Sequence, residues 1–313
     1  MRKRIVLFGA SGFVGGAVRA ALSADHDVIG VVAPRLSTQA RDCGALLAEV
    51  PDLELPAETA TALAGADVVI NAAGDPDASS LDEGRLYGAN ALLPALVLEH
   101  ARRAGVRRLV HVSSAVVQND KPLLDDSEEM RGFSPYSFSK ILGEQVLRVA
   151  GAKDIDVVRY RPPSVHAAGR RVTRMVAKIA KSPLATVAYP GDQPTPQALL
   201  PNVASAIACL ATSDELPPPV VHHPTEGVTV SSLMIDLGGG RPPRRIPRWM
   251  AKGLVAMAKL AGRLHRPTAA NARRVELLWL GQEQAESWLS RIGWQPPVDR
   301  AGWRALGEGT PGQ

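Results

Sequence analysis

The sequence predicts an α/β fold, in which a doubly wound parallel sheet carries a smaller, discontinuous C-terminal lobe. Short and wholly apolar runs such as Ile5–Phe8 recur along the chain, and such runs are typical of parallel strands buried on both faces. These runs alternate with helical segments, which is the pattern of a sheet covered by helices on both faces. After Arg161 this rhythm changes, because Pro and Gly become dense in 183–201 and 217–247.

The predicted elements follow one another as strand and helix. Strands are predicted at Ile5–Phe8, Asp27–Val32, Ala66–Asn71, Arg108–Ser113, Ile155–Tyr160 and Val220–Val221. Helices are predicted at Phe13–Ser23, Asn90–Ala104, Tyr136–Ala150, Pro201–Thr212 and Met250–Leu264. Gly105 directly follows the second of these helices, and glycine is the usual residue just past a helix end.

The change of rhythm predicts two units in the chain. Residues 1–165 together with 198–226 form the predicted dinucleotide-binding domain. Residues 166–197 together with 227–313 form the predicted substrate-binding lobe, which is smaller and richer in loops. A chain of 313 residues is long enough for one large domain with such an appendage.

Charge and cysteine content exclude several classes of function. The chain has 36 Lys and Arg against 31 Asp and Glu, a net charge of +5. Because its basic residues are scattered without interleaved aromatic residues, no nucleic-acid partner is predicted. Cys43 and Cys209 have neither metal-ligand nor disulfide spacing, so the sequence predicts no metal site and a cytoplasmic location.

No membrane partner is predicted either. The chain has no apolar run of about 18 residues, the length that a membrane-spanning helix needs. The segment Met250–Leu264 is apolar and carries Lys252, Lys259 and Arg263. A membrane-surface helix is one interpretation of that segment, and a helix packed on the rest of its lobe is the favoured one.

A glycine-rich loop follows the first strand and opens the first helix. Residues without a Cβ atom allow the backbone to approach a pyrophosphate, and the helix N-terminus offers N–H groups and the positive end of its dipole. The strand–turn–helix setting predicts a dinucleotide site. Its predicted residues are Gly9, Ser11, Gly12, Phe13, Val14 and Gly15.

The end of the second strand predicts which dinucleotide is bound. An acidic residue at this position would hydrogen-bond the ribose and favour NAD, but Val31–Arg35 contains no carboxylate. Arg35 is within reach of a 2′-phosphate, so NADP is predicted in preference to NAD. An ordinary solvated arginine, with NAD held by other contacts, is the alternative.

Tyr136 and Lys140 stand four residues apart on a predicted helix and therefore share one face. A free tyrosine has a pKa near ~10 and is a poor base at neutral pH. The Lys140 ammonium is expected to lower that pKa, as is the positive charge of an oxidised nicotinamide. Tyr136 is then the predicted general acid–base on the substrate oxygen during hydride transfer. Ser114 ends the preceding strand and is expected to donate a hydrogen bond to the same oxygen.

Taken in order, these motifs resemble the extended short-chain dehydrogenases/reductases of the NAD-dependent epimerase/dehydratase type. The resemblance covers nearly the whole chain and implies a Rossmann domain. It rests on Gly9–Gly15, Asn71–Gly74, Ser113–Ser114, Tyr136 with Lys140, Arg161–Val165 and Gly293–Pro297.

The resemblance also implies roles for particular residues. Asn71, Ala72, Ala73 and Gly74 are expected beside the adenosine and ribose, and Pro163 is expected near the nicotinamide. Lys140 is expected to hold the nicotinamide ribose. Ser114 is preferred over Ser113 because the family's active hydroxyl lies three residues before a valine, here Val117. Family members are often dimers through two helices, which implies a homodimer through Asn90–Ala104 and Tyr136–Ala150.

Many relatives act on nucleotide-activated sugars, so a nucleotide sugar is the leading substrate class. Ser164 stands where those relatives often carry a substrate-binding asparagine. Ala115 and Val116 replace the acidic pair of the sugar dehydratases, which argues against dehydration. An NADP-dependent ketoreductase or hydroxysteroid-type alcohol dehydrogenase acting on an apolar substrate is the alternative, and a non-catalytic dinucleotide sensor is a third interpretation. The basic residues Arg170, Arg171, Arg174 and Lys178 are expected either to face a diphosphate or to form a solvated helix face.

Overall fold

Short strands and helices alternate through the computed structural model, which describes residues 1–77, 80, 82–151, 154–264 and 266–309. The side chains of residues 263–271 and the last four residues of the predicted lobe lie outside this description. The strands are β1 (Arg4–Phe8), β2 (Asp27–Val31), β3 (Val68–Asn71), β4 (Arg108–Val112), β5 (Leu123–Leu124), β6 (Asp156–Arg161), β7 (Ser164–His166), β8 (Thr186–Ala188), β9 (Gln197–Leu199), β10 (Val220–His222), β11 (Arg244–Ile246) and β12 (Glu283–Gln284). The helices are α1 (Phe13–Leu22), α2 (Cys43–Glu49), α3 (Ala57–Leu63), α4 (Glu83–Tyr87), α5 (Leu93–Arg103), α6 (Pro135–Ala150), α7 (Arg171–Lys181), α8 (Leu200–Thr212), α9 (Val230–Leu237), α10 (Arg248–Leu264), α11 (Arg266–Leu280), α12 (Trp288–Arg291) and α13 (Arg300–Glu308).

Six strands pair into one parallel sheet in the order β2–β1–β3–β4–β6–β10. The chain runs outward from β1 to β2 and then returns to the other side of β1, so the strand order reverses between β1 and β3. A crevice forms at the carboxyl ends of the strands at such a point. The predicted doubly wound sheet is confirmed, and its strands begin and end within one or two residues of their predicted bounds.

Side chains of the central strands alternate between two apolar layers, because successive residues of a strand point to opposite faces. Val6 and Phe8 belong to the layer that contains α5 and α6. Ile5 and Leu7 belong to the layer that contains α1 and α8. All four side chains are completely buried, which explains why the β1 sequence is apolar at successive positions.

A third apolar cluster lies among the later segments of the chain. Its members include Val176 of α7, Val187 of β8, Leu233 of α9 and Trp303 of α13. Two small parallel pairs, β7 with β9 and β8 with β11, accompany it. Most members of this cluster come from 166–197 and 227–313, and this supports the proposed division of the chain into two units, which remains a proposal.

Several parts of the fold were not predicted from the sequence, among them the helices α4, α9, α11, α12 and α13. The helices α2 and α3 between β2 and β3 are only seven residues long, too short to show a helical pattern of apolar residues. The first three residues of the predicted helix Asn90–Ala104 belong to a π-helical segment, Gly88–Leu92, and α5 begins only at Leu93. Pro94 follows this segment and has no N–H with which to continue the regular hydrogen bonding.

A buried carboxylate joins α6 to the ends of β4 and β6. Glu144 and Arg161 both have side chains with 0% exposure. Arg161 donates from Nε to Glu144 Oε1 at 2.9 Å and from Nη2 to Oε2 at 2.6 Å. Ser113 donates its hydroxyl to the same carboxylate at 2.5 Å, and Arg161 Nη1 donates to the Ser127 carbonyl at 2.7 Å. The Glu144 carboxylate thus joins α6 to the ends of β4 and β6, and Arg161 links the Ser127 carbonyl to the same group.

We expect Glu144→Ala to lower the free energy of unfolding by ~3–5 kcal/mol, because the buried charge of Arg161 would have no carboxylate to balance it. Urea denaturation followed by circular dichroism measures this loss. Glu99→Ala is the matched control, since it removes an exposed ion pair with Arg103 on α5 and should cost only ~0.5 kcal/mol. Equally small losses in the two variants would contradict the structural role of Glu144.

Candidate functional site

A cavity of about 750 Å³ lies at the carboxyl ends of the strands, where the strand order reverses. This volume falls within the range of ligand-binding pockets. The structure brings most of the predicted site residues to its wall: Gly9, Ser11, Gly12, Phe13, Val14, Arg35, Ala72, Ala73, Gly74, Ser114, Tyr136, Lys140 and Pro163. Gly15 and Asn71 lie behind the wall and do not line the cavity.

The glycine loop after β1 is packed too tightly for side chains. Gly9 has a φ of +78°, and a Cβ atom there would lie 2.8 Å from the Ala73 nitrogen. A Cβ on Gly15 would collide with the Gly9 carbonyl oxygen. Gly12 precedes α1 without any side-chain cap, so the first N–H groups of this helix are left to a ligand. This cradle fits a pyrophosphate, and Gly15 contributes by allowing the helix to approach the loop.

Asn71 shapes the loop after β3 from behind. Its side chain is completely buried, and its Oδ1 accepts a hydrogen bond from the Ala73 N–H at 3.1 Å. Its Nδ2 lies 3.4 Å from Nδ1 of His111 in β4. Asn71 therefore holds Ala72 and Ala73 against the cavity, although it was expected beside the adenosine.

The end of β2 supplies the outer part of the cavity wall. Arg35 is exposed and lines the cavity together with Val32 and Pro34. Arg85 of α4 also lines it, with its Nε 3.9 Å from the Asp75 carboxylate. Two guanidinium groups thus reach this end of the cavity, of which the sequence predicted only Arg35.

The two serines at the end of β4 have different environments. The Ser113 hydroxyl is engaged with the buried Glu144 carboxylate. Ser114 begins a short 3₁₀ turn, where its Oγ accepts from the Val116 N–H at 3.3 Å. Ser114 is also hydrogen-bonded to the Tyr136 phenol. Only Ser114 therefore presents its hydroxyl next to the tyrosine.

Lys140 lies on the inner face of α6 and is 5% exposed. Its ammonium donates to the Val112 carbonyl at 3.3 Å. Burial lowers the pKa of Lys140 to about 8, against the raising effect of the carboxylates of Glu144 and Asp75. A Cβ on Gly74 would lie 2.8 Å from Asn90 Oδ1 and 3.1 Å from the Lys140 nitrogen, so a side chain at this position would displace both groups.

The Tyr136 phenol has a pKa above its ordinary value, and burial is the main cause. The hydrogen bond with Ser114 and the charge of Arg170 act in the lowering direction, whereas Asp75 raises the pKa further. The protein groups together thus raise the pKa, while the sequence predicted a lowering by Lys140. The difference arises because loss of water disfavours the phenolate more than the nearby charges favour it.

Asn90 ties three parts of the site together from the π-helical segment Gly88–Leu92. Its Nδ2 donates to the Asp75 carbonyl at 2.9 Å and to the Ser139 hydroxyl at 3.1 Å. Its Oδ1 accepts from the Asp75 N–H at 3.1 Å. These bonds hold the loop after β3 against α6, and π-helical segments are frequent at functional sites.

Arg170 is the residue of the predicted basic cluster that reaches the cavity. It precedes α7, and its guanidinium lies 4.0 Å from the centre of the Phe13 ring. Burial lowers the pKa of Arg170. Arg171, Arg174 and Lys178 are exposed on α7 and do not line the cavity. The cluster is therefore divided, with one arginine at the cavity and the others in solvent.

Sequence reasoning missed the wall that α11 contributes. Arg273, Arg274 and Leu277 of α11 line the cavity, as do Asn119 and Gln282. Arg273 is held by Glu276, by Gln282 and by the Asn119 carbonyl. No local motif marks these residues, because they reach the site only through the folding of the C-terminal segment.

Neither cysteine lies at the cavity. Cys43 and Cys209 are free and partly buried, and burial raises the pKa of each thiol. In the part of the chain that the structure describes, no three His, Cys, Asp or Glu side chains are grouped to hold a metal ion. Within the same residues, no helix has both the length and the apolar character needed to span a membrane.

Solved structures share this fold over nearly the whole chain. UDP-glucuronic acid 4-epimerase from Bacillus cereus, in complex with NAD, superposes with a TM-score of 0.65 at 17% identity, covering 97% of each chain. dTDP-4-dehydrorhamnose reductase from Bacillus anthracis, in complex with NADP, gives a TM-score of 0.62 at 15% identity. That match covers 99% of this chain and 100% of the reductase. At sequence identities of 15% and 17%, this similarity shows a shared fold.

A curated protein is similar over a shorter stretch. The 4-hydroxy-2-methyl-3-oxo-4-farnesyl-3,4-dihydroquinoline-1-oxide ketoreductase of Stigmatella aurantiaca is 36% identical over 105 residues. This stretch is 32% of the present chain and spans only 31% of the ketoreductase.

The profile of the family described as "NAD dependent epimerase/dehydratase family" matches residues 5–216. The match includes the glycine loop, Ser114, Tyr136 and Lys140, and it covers well over half of the chain. The protein therefore belongs to the NAD-dependent epimerase/dehydratase family, and it shares its fold with a solved epimerase and a solved reductase that are in complex with NAD or NADP.

Proposed function

We propose that this enzyme transfers a hydride between NADP and a nucleotide-activated sugar, as a reductase or epimerase, with Tyr136 as the general acid–base. The observation that carries the proposal is the convergence of Ser114, Tyr136 and Lys140 on the same cavity as the glycine loop. A substrate oxygen beside Tyr136 would thus share one enclosed space with the dinucleotide.

The residues present fit NADP. The glycine cradle and the uncapped N-terminus of α1 suit the pyrophosphate, and Arg35 suits a 2′-phosphate. Lys140 and Pro163 line the inner part of the cavity, where the ammonium is proposed to hold the hydroxyls of the nicotinamide ribose. When bound, the cofactor supplies or accepts the hydride.

Tyr136 carries the proton in the proposed mechanism. Its raised pKa keeps the phenol protonated at neutral pH, so it can donate a proton to the substrate oxygen as that oxygen gains negative charge. Ser114 stabilises the same oxygen by a hydrogen bond. The Lys140 ammonium then stabilises the phenolate that remains, and the reverse reaction returns the proton to Tyr136.

Positive charge at the substrate end favours a phosphate-bearing substrate. Arg170 and Arg274 line the cavity beyond Tyr136, and guanidinium groups bind phosphate oxygens in a bidentate manner. The two solved structures of similar fold bear the names of nucleotide-sugar enzymes. Both points support a nucleoside diphosphate sugar as the substrate.

A ketoreductase acting on an apolar substrate is the second candidate. Val116, Leu124, Phe133, Val172 and Leu277 make much of the cavity wall apolar. The similar stretch of the Stigmatella aurantiaca ketoreductase also favours this candidate.

Two further proposals concern assembly and location. A homodimer through α5 and α6 rests on the family resemblance, and a cytoplasmic location rests on cysteine usage.

We expect Tyr136→Phe to lower turnover by ~10²–10⁴-fold, the usual contribution of a general acid–base, and to leave the Kd for NADPH unchanged. Stopped-flow or steady-state reduction assays measure the first quantity, and fluorescence titration measures the second. Turnover within about tenfold of the parent enzyme would remove Tyr136 from the chemical step.

The two serines provide a matched pair of variants. Ser114→Ala is expected to lower kcat by ~10²–10³-fold, because it removes the donor to the substrate oxygen. Ser113→Ala is expected instead to lower the free energy of unfolding by ~1.5–3 kcal/mol through loss of its bond to Glu144. Enzyme assays and urea denaturation of both variants test this separation, and a reversed pattern would assign the active hydroxyl to Ser113.

Arg35→Ala tests the cofactor assignment. Loss of a charged contact to the 2′-phosphate should raise the Kd for NADPH by roughly 10–100-fold and leave the Kd for NADH unchanged. Isothermal titration with both dinucleotides measures the two constants. A parallel change in both, or no change, would show that Arg35 does not read the 2′-phosphate.

Thermal unfolding in the presence of NADPH separates the two substrate classes. A UDP- or dTDP-sugar that binds the native enzyme should raise Tm further with concentration, and Arg274→Gln should remove most of that rise. A rise with a prenylated quinolone ketone, and none with any nucleotide sugar, would favour the ketoreductase candidate.

A further inference from the structure

The positive charge of the protein is concentrated in one segment. Residues 237–275 contain ten Lys and Arg and no Asp or Glu. The remainder of the chain has 26 basic residues against 31 acidic ones, so it is net negative. The expectation that basic residues are scattered evenly along the chain is therefore wrong for this segment.

Most of the described basic side chains in this segment point into solvent. Arg241, Arg244, Arg245, Arg248 and Lys252 are all exposed. Among the described residues, no carboxylate forms an ion pair with any of the five side chains. Their charge is therefore available to a partner.

The helix α10, which begins at Arg248, exposes large apolar side chains. Trp249 is 76% exposed, Met257 61% and Leu260 60%. Their spacing places them on one face of the helix, opposite Ala251 and Val255, which are buried. One face of α10 is packed on the protein, as the sequence predicted, while the other face is apolar and exposed.

Exposed apolar side chains also flank the strand that pairs with β11. Strand β8 pairs with β11, which leads into α10. Leu184 and Tyr189 flank β8, and their exposed fractions are 79% and 60%. The Tyr189 N–H donates a hydrogen bond to the Ile246 carbonyl of β11 at 2.9 Å. Aromatic and aliphatic side chains next to unpaired arginines are typical of surfaces that lie at the interface of a bilayer.

We propose that the exposed face of α10, together with β11, binds the surface of an anionic phospholipid bilayer. The apolar residues Trp249, Met257 and Leu260 would enter the headgroup region, while Arg244, Arg245 and Arg248 pair with lipid phosphates. This proposal revises the expectation that the protein has no membrane partner, and it requires no membrane-spanning helix.

Charge complementarity favours a bilayer over a second copy of the chain. A two-fold interface places the same patch of both copies together. It would therefore bring together two copies of the exposed basic side chains Arg241, Arg244, Arg245, Arg248 and Lys252. Like charges brought together in this way are unfavourable, whereas anionic lipid neutralises them.

The exposed face of α10 belongs to a helix that neighbours the wall of the cavity. The helix α10 packs along α11, and α11 contributes Arg273, Arg274 and Leu277 to the cavity wall. Contact with a bilayer would thus take place on the helix next to the substrate end of the site.

Vesicle co-sedimentation at low salt tests the proposal with the full-length protein. We expect binding to vesicles of equal parts phosphatidylcholine and phosphatidylglycerol, and none to phosphatidylcholine alone. The triple variant Arg244→Gln, Arg245→Gln, Arg248→Gln should lower the partition coefficient by roughly 100-fold, since each basic side chain near an anionic surface contributes roughly fivefold. Arg19→Gln, Arg102→Gln, Arg103→Gln is the charge-matched control on α1 and α5, and it should retain binding within about twofold of the parent.

Tryptophan fluorescence separates insertion from purely electrostatic attachment. Mixed vesicles should shift the emission to shorter wavelength in the parent protein, and Trp249→Phe should abolish that shift while it retains Tm and NADPH binding. Three outcomes would overturn the proposal: no binding of the parent protein to mixed vesicles, equal loss in the two triple variants, or a dimer in solution that Trp249→Ser converts to monomer. The last outcome would assign the face to a second copy of the chain.

Discussion

The buried carboxylate of Glu144 is the contact on which the geometry of the site depends. It receives hydrogen bonds from Arg161 at the end of β6 and from Ser113 at the end of β4. It also lies one helical turn after Lys140 on α6. The helix that carries Tyr136 and Lys140 is thereby held at a defined position against the end of β4, which Ser114 closely follows. Such a charge is costly to bury alone and is tolerated because its partners satisfy it.

Loss of water is the second factor that determines the chemistry. Burial lowers the pKa of Lys140 to about 8 and raises the pKa of Tyr136. Both changes favour the uncharged form, as expected where solvent is excluded. In the proposed mechanism the proton is therefore kept on the tyrosine until charge develops on the substrate, and the neighbouring ammonium is most effective at that moment.

Basic and acidic residues are unevenly distributed along the chain, and this distribution parallels the proposed roles of its segments. The residues outside 237–275 are net negative and contain the glycine loop and the proposed acid–base residues. The segment 237–275 is wholly basic in its charged residues. It provides both the cavity arginines of α11 and the exposed arginines that precede α10. One stretch of sequence thus contributes to the proposed substrate end of the cavity and to the proposed lipid surface.

The sequence alone determined the sheet and most residues of the proposed dinucleotide site. These features are local, since β1 must be apolar on both faces and Gly9 must lack a side chain where it meets Ala73. A tyrosine and a lysine four residues apart likewise share a helix face whatever surrounds them.

Only the tertiary structure decided the remaining features. It separated Ser113 from Ser114 by placing Glu144 against one of them. It moved Asn71 behind the wall, brought Arg273 and Arg274 to the cavity and left one face of α10 exposed. The pKa of Tyr136 belongs to this second group, because desolvation depends on every atom packed around the phenol and not on the spacing to Lys140. Contacts between residues far apart in sequence produce no local pattern in the sequence, so they can be identified only in the folded structure.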